Sequence, residues 1–196
     1  MMRSIGVLLL LTVTVTVAAL AAAEKCDRLE QAPLQELASY LRSAASSDPS
    51  NADCVSFAIY KLGENRYEPS IPELVRLLDF RRTPDEQEKL GYRIRMRGFY
   101  PAVDALEEIG SSTSSSLVQA IGADSTSALA RKNAVKVLMD VYRDKPENAI
   151  SLLRQERDNT TKPSAKNHLS SAISEALQSC NLANKTKCEL AASRSQ

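Results

Sequence analysis

The sequence contains no tryptophan, one histidine and six glycines, and aromatic residues make up only 5% of its 196 positions. Each shortage removes a class of protein. Six glycines supply too little turn material for an all-β fold with many tight hairpins. A core of Ala, Leu, Ile and Val with few large rings suits closely packed helices. The single histidine, His168, has no nucleophile and orienting acid at triad-like spacing, so it reads as a surface or boundary residue. No C-x-x-C pair occurs, which removes zinc-knuckle and thioredoxin-type motifs. No aspartate-rich calcium loop and no glycine-rich phosphate loop is present. The motifs therefore call for no cofactor, no metal and no catalytic residue. Charge is also missing in the net sense: 25 Lys and Arg face 24 Asp and Glu. A nucleic-acid-binding domain is normally strongly basic, so no nucleic-acid partner is expected.

What is present begins with a targeting pattern. Residues 1–23 read MMRSIGVLLLLTVTVTVAALAAA, with Arg3 as a basic start, an apolar run, and Ala21-x-Ala23 as a small-residue cleavage site. This predicts a secretion signal at 1–23 and a secreted or periplasmic protein. The competing reading is an uncleaved anchor. The apolar stretch from Ile5 to Ala23 is 19 residues long, just enough to cross a bilayer. A membrane association is expected only in that case. Lys25 stands before Cys26, where a lipoprotein signal would carry a small residue. Residues 24–196 are expected to form one domain, large enough for a continuous core.

All four cysteines, Cys26, Cys54, Cys180 and Cys188, follow that segment. Four cysteines permit three pairings. Cys26–Cys54 and Cys180–Cys188 are favoured, because each would staple one end of the chain to the body. The chain-entropy model gives such a bridge about 2.5–3.5 kcal/mol in an oxidising compartment.

From Cys26 onward the apolar spacing is helical. Leu34, Leu37 and Leu41 share one face after Pro33. Val55, Ala58, Ile59 and Leu62 share another, with Gly63 as the expected stop. Ser70-x-x-Glu73 reads as a capping box for a helix bearing Leu74, Val75, Leu77 and Leu78. Thr83-Pro84-Asp85-Glu86 reads as another, predicting a helix from about Pro84 to about Ile94, inside an irregular insertion at 84–100. Pro101 opens a helix that Gly110 ends, and Leu117 to Ile121 form a short one ended by Gly122. Asp124 is the expected cap of the next, which carries Ala134, Val135 and Leu138. Asp144-x-Pro146-Glu147 should cap another with Ala149, Ile150 and Leu153. The last runs from about Pro163 to Cys180, followed by a tail at 181–196.

These helices repeat. Ala58-Ile59-x-x-Leu62-Gly63 recurs as Ala105-Leu106-x-x-Ile109-Gly110, as Ala134-Val135-x-x-Leu138-Met139, and weakly as Ala172-Ile173-x-x-Ala176-Leu177. The steps are 47, 29 and 38 residues. A half-apolar hairpin cannot bury its face alone, and stacking on a like neighbour solves that problem. The pattern predicts an all-α fold, a short right-handed α-solenoid of stacked antiparallel helix hairpins. Ile71-Pro72-x-Leu74-Val75-x-Leu77-Leu78 after Ala58–Gly63, and Ala130-Arg131-x-x-Ala134-Val135, resemble HEAT repeats of the short bacterial, phycobilin-lyase type. The resemblance covers roughly residues 51–156. It implies binding through a curved surface and implies no catalytic residue; no bilin-attachment site is matched.

One local charge anomaly remains. Arg81, Arg82, Lys89, Arg93, Arg95 and Arg97 are interleaved with Tyr92, Phe99 and Tyr100. They read either as a solvated run partly paired with Asp85, Glu86 and Glu88, or as a patch for an anionic ligand formed by Arg81, Arg82, Arg93, Arg95 and Arg97. Asn159-Thr160-Thr161 and Asn184-Lys185-Thr186 match glycosylation sequons, meaningful only in a eukaryotic secretory pathway. The function expected is a non-enzymatic binding or scaffold module with a protein partner lying along the second helices. The alternative is an enzyme or enzyme accessory with a basic site around 81–100.

Overall fold

A computed structural model describes residues 28–44, 52–82 and 99–180. The described residues are helical, with no strand among them. The α-helices are α1 (Leu34–Ser43), α2 (Ala52–Glu64), α3 (Ile71–Arg76), α4 (Pro101–Ile109), α5 (Ser114–Gly122), α6 (Ala128–Val141), α7 (Pro146–Asn159) and α8 (Pro163–Ser179). Short 3-10 turns at Glu68–Ser70 and Ser111–Thr113 lead directly into α3 and α5.

Burial follows from position in the packing. α2 lies between α1 and α4, so it is buried nearly all round, from Cys54 through Ile59 to Leu62. α1 buries one stripe, Leu37, Ala38 and Leu41. α8 likewise buries Ala165, Leu169, Ala172, Ile173 and Ala176 at helical spacing, while Lys166, Asn167, Ser170, Ser171 and Ser174 face out. Contacts skip along the chain: α2 meets α4, α4 meets α6, and α6 meets α8, while α3 meets α5 and α5 meets α7.

Two glycines play different parts. Gly110 has φ +87° and closes α4, a conformation that strains any residue with a side chain. Gly63 does not end α2, as the sequence suggested. The helix continues to Glu64, and a Cβ at Gly63 would stand 2.7 Å from both Cα and Cβ of Ala105 on α4. Its missing side chain sets how closely α2 and α4 approach. The actual stop is Arg66, at φ 49°. Arg66 N–H donates to Gly63 O (2.9 Å) and Tyr67 N–H to Leu62 O (3.0 Å), the paired bonds of a Schellman ending with arginine in the left-handed place.

Several expected caps are replaced. Ser70 has helical backbone angles because a 3-10 turn precedes it, so its hydroxyl cannot turn onto the next turn. It donates instead to Tyr67 O at 2.7 Å. Glu73, its supposed box partner, is buried and pairs with Arg42 of α1 at 2.7 Å. Asp124 does not cap α6; Ser127, in extended conformation, accepts from Ala130 N–H at 3.1 Å. Asp144 does not cap α7, which follows Lys145 with Pro146 in its first turn. Leu77 and Leu78 lie just past α3 but stay fully buried. The Leu78 carbonyl accepts from the buried Asn133 Nδ2 of α6 at 2.7 Å. The predicted helix from Pro84 to Ile94 lies outside the described residues, as do the 1–23 segment and the 181–196 tail.

Candidate interaction groove

The largest concavity described is an open groove of about 830 Å³. It is built from the ends of elements that the packing brings to one edge. The turn after α2 gives Arg66, the outer face of α4 gives Asp104, Glu107 and Glu108, and the end of α6 with its turn gives Asp140 through Lys145. Asn148 of α7 completes the lining. Its carboxylates are Asp104, Glu107, Glu108, Asp140 and Asp144, against the cations Arg66, Arg143 and Lys145. The groove therefore has a surplus of negative charge. The carbonyl ends of α2 and α6 point the same way in sign, since a helix C-terminus carries partial negative charge.

The floor is cross-linked. Lys136 Nζ donates to Glu107 Oε1 at 2.7 Å and to Asp140 Oδ2 at 2.8 Å, and Arg143 Nη2 donates to Asp140 Oδ1 at 3.1 Å. Burial pushes the Glu107 carboxyl above its ordinary value, and the neighbouring Lys136 ammonium only partly offsets this. Burial acts on Asp140 in the same direction, but the hydrogen bonds from Lys136 and Arg143 outweigh it and hold that carboxyl below its usual range. Burial would lower Lys136, yet its two carboxylate partners raise it overall. A second groove of about 450 Å³ runs between α6 and the end of α8. It is lined by Val135, Met139, Pro146, Glu175, Ser179 and Cys180 among others, and it shares Asp140 and Arg143 with the first.

Comparison with known proteins finds no match. No family model, no curated protein and no solved structure corresponds to this chain. The residues themselves must carry the functional reading.

The predicted site residues divide. Arg82 is not part of an exposed patch: its side chain is 1% accessible, and its Nη2 lies 3.2 Å from Asp53 Oδ1 on the first turn of α2. Neither Arg81 nor Arg82 ends a helix, because α3 stops at Arg76. Arg81 places its guanidinium 5.3 Å from the ring centre of Phe99, a cation–π contact beside one of the few exposed large apolar side chains. Arg93, Arg95 and Arg97 lie outside the described residues. Cys54 and Cys180 are both disulfide-bonded and neither is a free thiol; Cys26 and Cys188 lie outside the described residues. His168 Nε2 stands 3.4 Å from Asp124 Oδ1, so Asp124 ties α8 to the α5–α6 turn. Ser164 Oγ donates to the same carboxylate at 3.1 Å. Among the described residues no group of His, Cys, Asp and Glu is placed to hold a metal. The motif search passed over the Glu107–Lys136–Asp140 chain because none of its members belongs to a known signature.

Proposed function

We propose that this protein is an exported, non-enzymatic protein-binding or scaffold module, built as a short HEAT-like α-solenoid. The observation that carries the proposal is the skipping order of helix contacts, with α2–α4–α6–α8 in one row and α3–α5–α7 in another. Stacked hairpins give that order, since each helix meets its counterpart in the next repeat. The one-sided burial of α1 and α8, with polar outer faces, suits terminal elements of such a stack. Both grooves lie along the first-helix row rather than the second helices, which moves the candidate binding surface. The acidic surplus of the larger groove favours a partner segment rich in Lys and Arg. Arg82, committed to Asp53, lends nothing to a basic site around 81–100.

The test is titration with labelled peptides of equal length, one Lys/Arg-rich and one Asp/Glu-rich. The basic peptide should bind, and its affinity should fall as salt rises. Asp144→Lys should weaken binding and Lys145→Glu should strengthen it. Equal affinity for both peptides, or no binding to either, would overturn the groove as the partner surface. Loss of binding on Arg81→Ala alone would move the site to the basic run.

A further inference from the structure

The second groove, between α6 and the end of α8, has its own occupant within this chain. We propose that the segment following Cys188 folds back into it, setting Leu190 against Met139. Cys180 is the last described residue, and it forms part of the groove wall. It is also disulfide-bonded. If its partner is Cys188, bridge geometry holds the two Cα atoms about 4.4–6.8 Å apart. Residues 189–196 then start at the groove's rim whatever path residues 181–187 take. Leu190 is two residues beyond the bridge, a reach of about 7 Å in extended chain. The groove presents partly buried Met139 beside Val135 and Pro146, and a flexible thioether adapts to an incoming aliphatic side chain. Leu190, Ala191 and Ala192 supply apolar matter of that kind. Glu175 and Asp140 at the rim face a segment whose other charges include Lys187 and Arg194. Docked this way, residues 189–192 cover apolar surface that α8 leaves open at its end.

The experiment uses the full secreted chain and follows oxidation of Met139 by dilute peroxide, read by peptide mass spectrometry. Two variants are compared with it: Leu190→Asp, and a chain ending at Cys188. Both leave the described core untouched, and helical circular dichroism checks that they fold. Met139 should oxidise about fivefold faster in both, the size expected when one leucine contact is weighed against ordering a short tail. A non-reducing digest should recover Cys180 linked to Cys188. Unchanged Met139 oxidation in either folded variant, or Cys180 linked to Cys26, overturns the proposal.

Discussion

Replacing Gly63 with alanine should destabilise the protein, although alanine is the better helix former. A methyl group at this position would come within 2.7 Å of Ala105 Cα and Cβ, closer than carbon atoms pack. One of those atoms is backbone, so no rotamer change relieves the clash; α2 and α4 must separate. Overpacking a tight core costs about 1–3 kcal/mol. The helix-propensity gain of Gly→Ala returns about 0.8–1 kcal/mol. The net loss should be about 1 kcal/mol or somewhat more, lowering Tm by about 2–4 °C for each kcal/mol. The companion change Ala105→Gly removes only one of the two clashing atoms. The double variant should therefore stay below wild type, yet lose less than the two single losses added together. Urea unfolding of the four proteins measures this directly. A Gly63→Ala protein as stable as wild type would refute the close approach of α2 and α4, and with it the account of the stack's spacing.

Asn133→Ala should cost about 1–3 kcal/mol in denaturant unfolding, because it strands the buried Leu78 carbonyl; a loss below a few tenths would mean the bond contributes little. Arg66→Gly should raise stability by about 0.5–1 kcal/mol, since glycine relieves the left-handed backbone at φ 49°; a lower urea midpoint would contradict the strain. Lys136→Met should cost about 0.5–1 kcal/mol near neutral pH, as befits a half-exposed network. The sign with pH follows from the three groups. Asp140 sits below its ordinary 3.8, so its contribution is present above that value and lost as pH falls through its folded pKa. Glu107 sits above 4.5 and opposes folding when ionised, an effect that protonation removes. Lys136 sits above 10.5, so its contribution is present below that value and lost as pH rises through its folded pKa. The difference between wild type and Lys136→Met should therefore be largest near neutrality and shrink at both extremes; a difference flat with pH would refute the network's role.

The all-helical fold was legible because its cause is local: apolar residues three and four apart, and few glycines. The stopping point Gly110 was legible for the same reason. Gly63 was not, because a glycine that ends a helix and one that admits a neighbouring helix look alike until the neighbour is known. The caps at Ser70 and Asp144 failed because side-chain capping depends on backbone angles that a following proline or preceding 3-10 turn changes. The charge run could not reveal that Arg82 turns inward, since its partner Asp53 is distant in the chain. The groove's central pair was within reach. Glu107 and Lys136 each stand two residues after the repeat's alanine, at Ala105 and Ala134, so the 29-residue step itself places them side by side on α4 and α6.

The backbone bond from Arg82 N–H to Phe99 O, 2.9 Å long, brings the chain back to where it left. Residues 83–98 thus depart and return through one gate. Taking those 16 residues out of the 47-residue step leaves 31, close to the 29 of the next step. The anomalous spacing is a graft on a regular frame rather than a different kind of repeat. Because the gate is already shut, changing the length of what hangs from it is cheap, about 0.6 kcal/mol for each doubling. That makes it the natural port for exchanging one appendage for another without rebuilding the molecule.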